Sequence, residues 1–313
     1  MKVTATKHIF KTKILKTSKN DIKGVSIILE NNLNLQLDQI YSIIQEREKY
    51  IPKELYHYRS ISKDENIKCN KHVDALKNEK IYLSNPYNFN DPYDSAFSID
   101  IEKLKEDIKK NSEQKLKEQI IDNKIREAGV DPNCVNNKEI MYKDKNIDMD
   151  IMDGFLDENQ QFFYDYYVKN RRKFKVSCLS EIHDSILMWS HYANQHQGFC
   201  IGYDTSEIEE KIKKQLFPVF YHETFFPLIN VDISDKKLNL LIKYKDWRYE
   251  REWRLISDEK FLPLKPSKIY LGVKFNEEYL DYFKDIACEK NCKLYRMEMN
   301  YSEYALKAKE INL

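Results

Sequence analysis

Glycine is the residue that most restricts this chain. Only six occur in 313 residues (Gly24, Gly129, Gly154, Gly198, Gly202 and Gly272), where average usage of ~7% would give about 22. Phosphate-cradling loops depend on clustered glycines for tight turns and close backbone approach. Six scattered glycines can write neither a G-x-G-x-x-G fingerprint nor a P-loop. Classical Rossmann dehydrogenases and P-loop NTPases are therefore excluded.

The length fits one or two domains, and 42% hydrophobic with 33% charged residues is enough for a sizeable core. Mean hydropathy is -0.71, and no stretch approaches the ~20 apolar residues of a membrane span. The longest apolar run near the start, Val25 to Leu29, is too short for a signal-peptide core. The expectation is a soluble, cytoplasmic protein. A net charge of +1 gives no electrostatic footprint for non-specific nucleic-acid binding. The six cysteines form no CxxC pair, and Cys288 and Cys292, four apart, have no histidine nearby. Reduced thiols are expected rather than disulfides or a zinc site.

Residues 1–50 read as an N-terminal extension followed by a helix over 32–50 that stops at Pro52. Residues 51–313 read as a single domain. LYHYRS (55–60) predicts a strand, 70–79 a helix, KIYLS (80–84) a strand, and NPYNFNDPYD (85–94) turn chemistry without a regular element. The Lys/Glu-rich stretch 101–170 predicts a helical insertion with solvated faces. Beyond it, 174–180, 198–204, 217–222, 249–257, 269–275 and 292–298 predict strands. Helices are expected at 184–194, capped by Asp184, at 233–245 and at 277–290. Short strands with segregated helices and a poor βαβ rhythm give an α+β class: mixed or antiparallel sheets with flanking helices.

Lysine is the default cation, and only nine of the 52 basic residues are arginine, so each arginine carries information. Three fall within seven residues, Arg248, Arg251 and Arg254, in KDWRYEREWRLI. On a strand, alternation places Glu250, Glu252 and Arg254 on one face. Two glutamates so placed repel, raising at least one pKa unless a cation or ligand compensates. Such a pair suits a cationic, sugar-like transition state and the activation of an acceptor; an edge strand with cross-strand ion pairs is the structural alternative. In LYHYRS, Leu55, His57 and Arg59 share one face, with Tyr56 and Tyr58 on the other. Arg59 at the strand end is a candidate phosphate clamp, because a guanidinium forks bidentately where lysine cannot, or else a structural ion-pair partner. After Ser84, the polar residues Asn85, Asn88, Asn90, Asp91 and Asp94 either cap their own turns or present hydrogen bonds to a ribose. Trp189, His191 and Tyr192 crowd a helix end, as packing or as a stacking wall for a planar ring. His191, His196 and Cys200 are loosely spaced and lack an acidic fourth partner, so no metal is expected.

Taken in order, LYHYRS, LSNPYNFNDPYD, SCLSE with LMWSHYANQHQGFCIGYD, and KDWRYEREWRLI resemble a bacterial family catalogued as domain of unknown function 2971. The resemblance covers roughly 54–300, interrupted by 101–170. A strand-end Arg, a strand-end Ser and a Glu-x-Glu strand are also similar to the Arg-Ser-Glu site of the ADP-ribosyltransferase fold, with Leu-Ser-Asn here where that fold carries Ser-Thr-Ser. This second resemblance implies NAD as substrate, with Glu252 stabilising the oxocarbenium ion and Glu250 activating water or an acceptor. It implies a cofactor-binding set of Arg59, Tyr58, Ser84, Asn90, Asp91, Trp189, His191, Tyr192 and Arg254. The expected activity is ADP-ribosyl transfer or NAD glycohydrolysis, in a bacterial defence or toxin context such as antiphage defence. A small-molecule nucleotide is the expected partner, with no membrane. Glu252→Gln is expected to abolish activity with the fold intact. Two alternatives remain: a non-catalytic binding or regulatory module of a defence system, and a nuclease holding Mg²⁺ through Asp91, Asp94, Glu250 and Glu252.

Overall fold

The computed structural model describes residues 34–62, 66–95, 97–99, 173–228 and 233–313, and position 126. The expected extension over 1–30 and most of the expected insertion over 101–170 lie outside the described residues. Fourteen strands are described: β1 (Glu54–Arg59), β2 (Lys80–Tyr82), β3 (Phe97–Ile99), β4 (Lys175–Ser180), β5 (Phe199–Asp204), β6 (Leu216–Pro218), β7 (Phe220–His222), β8 (Phe226–Leu228), β9 (Ile242–Tyr244), β10 (Glu252–Ser257), β11 (Phe261–Pro263), β12 (Lys268–Leu271), β13 (Lys293–Met299) and β14 (Leu306–Ile311). The α-helices are α1 (Leu37–Glu46), α2 (Lys71–Lys77), α3 (Ile186–Tyr192), α4 (Glu210–Lys213) and α5 (Leu280–Lys290).

Eight strands form one sheet in the order β14-β13-β12-β5-β1-β4-β10-β6. Only β12 and β13, joined through α5, run parallel; the other neighbours are antiparallel. The class is therefore α+β, as the element pattern indicates. Leu55, Leu179, Trp253, Leu255, Ile269 and Phe283 belong to the core under one face. Tyr56, Tyr58, Trp189, Cys200 and Tyr270 form a second cluster against α3. Ile40 of α1 packs with Val176, Ile256 and Leu240 in a third. Alternation along β1 thus sends Leu55 and the two tyrosines into different clusters, as period 2 demands.

One feature of the sheet creates the site. β1 and β5 pair along six positions, from Glu54 opposite Asp204 to Arg59 opposite Phe199. β1 and β4 pair at one position only, Tyr56 opposite Ser180. Past that point the ladder lapses, and residues 57–59 and 176–179 line a gap between neighbouring strands instead of bonding across it.

Several local expectations need correction. The segment 233–245 is a 3₁₀ helix over Ile233–Leu241 that turns into β9. Leu240, Leu241 and Ile242 are all buried, a consecutive run that one face of an α-helix cannot carry. The helix at 184–194 starts one residue later, because Ser185 rather than Asp184 accepts from the Met188 amide (3.3 Å). The N-terminal helix is α only over Leu37–Glu46 and tightens to 3₁₀ at Arg47–Tyr50. The loop 85–94 does hold a short 3₁₀ turn, Pro86–Asn88, capped by the Asn85 side chain. The last expected strand lies one residue later, at Lys293–Met299. In YEREWRLIS only Glu252–Ser257 is strand: Lys245–Glu250 is 3₁₀, and Arg251 adopts a left-handed conformation (φ 45°, ψ 59°).

In a glycine-poor chain the left-handed positions fall to other residues, Asn34, Asn194 and Asn291 among them, because a short amide side chain tolerates that region best. Of the five such positions that are not asparagine, Ser95 (φ 59°) and Arg251 flank the charged cluster described next.

Candidate functional site

The gap between β1 and β4 opens into a cavity of about 460 Å³. Of the residues singled out in the sequence, Tyr58, Arg59, Ser84, Asn90, His191, Tyr192, Glu250 and Glu252 all line it. Trp189, Asp91 and Arg254 do not. Trp189 is fully buried behind Tyr58 (ring centroids 5.3 Å apart), with its indole N–H donating to the His183 carbonyl at 2.7 Å. It braces the wall and has no face free for stacking. Asp91 faces a neighbouring cavity. Arg254 lies beneath Glu252 at 0% exposure.

At the acidic end of the cavity, five ionisable side chains meet. Arg254 forks onto Asp94 (2.9 and 2.6 Å) and also donates to Glu252 through Nε (2.7 Å) and Nη2 (3.2 Å). Its Nη1 reaches the Leu240 carbonyl at 2.7 Å. Lys243 of β9 bridges both glutamates, donating to Glu250 at 2.5 Å and Glu252 at 3.0 Å, with Asp94 at 3.8 Å. Glu250 and Glu252 are each 3% exposed. They do not share a strand face, because the left-handed turn at Arg251 separates them. Ser180 holds that turn by donating to the Glu250 carbonyl at 2.6 Å, and the Glu181 amide donates to the Arg251 carbonyl at 3.1 Å.

The cluster contains three carboxylates and two permanent cations, so one carboxylate is in excess. Geometry identifies it. Both oxygens of Glu252 are taken up by Arg254 and Lys243. Burial alone would raise its pKa, but those two cations overturn the effect and hold it below the usual carboxylate range. Glu250 shares only Lys243, and its other oxygen accepts from the Tyr192 hydroxyl at 2.6 Å. Burial, reinforced by the Glu252 charge, outweighs Lys243 and pushes Glu250 up to about 7. Glu250 can therefore exchange a proton near neutrality, whereas Glu252 serves as fixed counter-charge to Arg254 and Lys243.

Arg59 also lines the cavity, and its side chain has no hydrogen bond or ion pair among the described residues. Burial lowers its pKa to about 10, with no carboxylate near enough to offset the effect. Around it lie Lys71, His72 and His57. Burial and then the Arg59 charge lower His72 to about 3 and hold His57 well below its usual value. The ring of His57 lies 3.4 Å from the Ser177 hydroxyl across the gap. An uncompensated guanidinium beside two neutral imidazoles is a site for an anion. Ser84 joins β4 by a backbone bridge to Val176, which holds the 85–94 loop over the cavity.

Of the carboxylates that a nuclease would use for Mg²⁺, Asp94, Glu250 and Glu252 are already engaged by Lys243 and Arg254, and Asp91 faces the neighbouring cavity. Among the described residues, no three of His, Cys, Asp and Glu are placed to hold a metal ion, and no helix is long and apolar enough to cross a membrane. Residues 188–255 match the family model of DUF2971, a protein of unknown function. That stretch runs from α3 into β10 and carries Tyr192, Lys243, Glu250, Glu252 and Arg254. No curated protein and no solved structure matches the chain.

Sequence reasoning overlooked Lys243, the hub of the cluster. Its one signal was a lysine set inside the apolar run LLIKY (240–244). Lys71 and His72 at the anion end gave none, since each belongs to an ordinary amphipathic helix start.

Proposed function

We propose that the cavity binds NAD and cleaves its nicotinamide–ribose bond, delivering ADP-ribose to water or to an acceptor. The observation that carries this reading is that one cavity of about 460 Å³ is lined both by Arg59, which has no ion pair among the described residues, and by Glu250, the carboxylate in excess of the two cations. Arg59, with Lys71 and His72 beside it, receives the pyrophosphate. Asn90 and Ser84 supply hydrogen bonds to the ribose. As the C1′–N bond breaks, its electron pair leaves with nicotinamide, and the ring oxygen of the sugar shares the positive charge. The excess negative charge at Glu250 and Glu252 stabilises that cation. Glu250 takes the proton of the attacking water or acceptor, which balances the step: NAD and water give ADP-ribose, nicotinamide and a proton. Glu250 therefore carries the proton chemistry, and Glu252 positions Lys243 and Arg254.

The test is nicotinamide release from NAD with EDTA present, using wild type and Glu250→Gln. Proton transfer by a positioned group contributes about 10²- to 10⁴-fold, so the variant should lose at least about 10²-fold. The wild-type rate should climb as pH rises through about 7, where Glu250 ionises. No release from wild type, or full activity in Glu250→Gln, overturns the reading.

A further inference from the structure

On the far side of Lys243 lies a second cavity, of about 660 Å³. Its walls are aromatic: Tyr93, Phe225, Tyr244 and Trp247. Tyr93 is 61% exposed, Phe225 52% and Tyr244 45%, a concentration of open ring surface around one hollow that packing alone does not require. The Tyr93 and Phe225 rings lie 6.0 Å apart with planes tilted by 32°. Trp247 forms another wall, with the Lys243 ammonium 4.9 Å from its ring centroid, and it touches His191 at the rim of the first cavity (6.3 Å).

His222, Glu223, Thr224, Lys243 and Asp91 are the polar residues of this hollow, and Asp91 is the one with a carboxylate oxygen left open. Asp91 Oδ1 accepts from the Tyr93 amide at 2.8 Å, whereas its Oδ2 is buried and has no hydrogen-bond partner among the described residues. A buried carboxylate oxygen without a donor is costly, and Lys243 is committed to Glu250 and Glu252. A ligand that completes the site must be flat, to lie among the rings, and must bring an N–H donor. Nucleobases with an exocyclic amino group, adenine and cytosine, combine both properties; a carboxylate accepting from such an amine is an established pairing, and bases stack on aromatic side chains. The charges nearby are Glu223, Asp246 and Lys245, of which Lys245 is already paired with Glu223 at 2.8 Å. No cationic track leads away from the hollow among the described residues, so a polynucleotide backbone is not favoured.

We infer that this cavity binds the amino-bearing base of a free nucleoside or nucleotide, stacked among Tyr93, Phe225, Tyr244 and Trp247 with its amine on Asp91. The inference goes beyond NAD cleavage and is tested without NAD, so either can fail alone. Trp189 and Trp253 are fully buried, which leaves Trp247 as the fluorescence reporter. Adenosine and cytidine should quench it saturably, and inosine and uridine, with a carbonyl at the corresponding ring position, should bind at least tenfold more weakly. Asp91→Asn, whose amide can donate to a carbonyl, should reverse that order. Phe225→Ala, a change at an exposed site, should weaken all four at least tenfold. Absence of saturable quenching, equal affinity for adenosine and inosine, or an unchanged preference in folded Asp91→Asn overturns the assignment. A ten-residue deoxyadenosine strand binding a hundredfold more tightly than adenosine also overturns it, in favour of nucleic acid.

Discussion

Replacing Glu250 with glutamine should stabilise the folded chain, relative to wild type, more at pH 8 than at pH 5. Burial and the neighbouring Glu252 raise the Glu250 carboxyl from an ordinary value of 4.5 to about 7. A carboxyl whose folded pKa exceeds its unfolded pKa binds more protons folded than unfolded between the two values. Its contribution to stability is full below the unfolded pKa and is lost as pH rises through the folded one. Each tenfold difference in proton affinity between the folded and unfolded chains is worth about 1.4 kcal/mol, so the loss accumulated between pH 5 and pH 8 is about 2–3 kcal/mol. Glutamine keeps the shape and removes the titration. It also weakens the charge-assisted bonds from Lys243 and Tyr192, a cost that cancels when the two pH values are compared because neither donor titrates in that range. Urea unfolding of both proteins at pH 5 and pH 8, followed by near-ultraviolet circular dichroism, gives the difference directly. A stability difference that stays constant with pH would mean that Glu250 remains ionised throughout, and the assignment of the proton chemistry to it would fall.

Glu252→Gln should behave differently, since it strips counter-charge from Arg254 and Lys243 in a buried network; breaking such a pair costs about 3–5 kcal/mol, read as a large drop in urea midpoint. A Glu252→Gln protein as stable as wild type but inactive would return the catalytic role to Glu252. Arg59→Ala should raise the His72 pKa from about 3 towards the normal histidine range in an NMR titration, with burial keeping it short of that range; an unmoved value would separate His72 from the anion end. Gly198→Ala should destabilise the chain by about 1–3 kcal/mol or more, because a Cβ there would sit 2.1 Å from the Arg59 carbonyl oxygen. A neutral melting temperature for that variant would refute the tight approach of β5 to the end of β1.

The sequence disclosed most of what depends on local pattern. The strands at LYHYRS and FKVSCLS are visible in the order of residues alone, and β1 and β4 lie within one residue of those segments. The α+β class follows from the same patterning. What depends on meeting in three dimensions was less legible. Alternation puts Glu250 and Glu252 on one strand face, but Arg251 interrupts the strand between them, and the two carboxylates meet instead at the Lys243 ammonium. The single-position contact of β1 with β4, which makes the cavity, is a property of register and twist that no residue in either strand announces.

The scarcity of glycine bears on how such a site is built. A glycine-rich loop would bring backbone amides to an anion; here Arg59, Lys71 and His72 approach the anion end as side chains, from a strand end and a helix start. For Arg59 this means a charge held in a desolvated position without a counter-ion among the described residues, which is costly. At the other end the left-handed residues Ser95 and Arg251 adjoin Asp94, Glu250 and Glu252, so unfavourable backbone conformations coincide with the excess carboxylate. Such conformations persist where the surroundings over-determine them: Arg254 anchors Asp94, and Ser180 anchors the Glu250 carbonyl. The cavity thus holds a guanidinium without an ion pair among the described residues and one carboxylate more than its cations, and a ligand that is anionic in one part and cationic in another answers both at once.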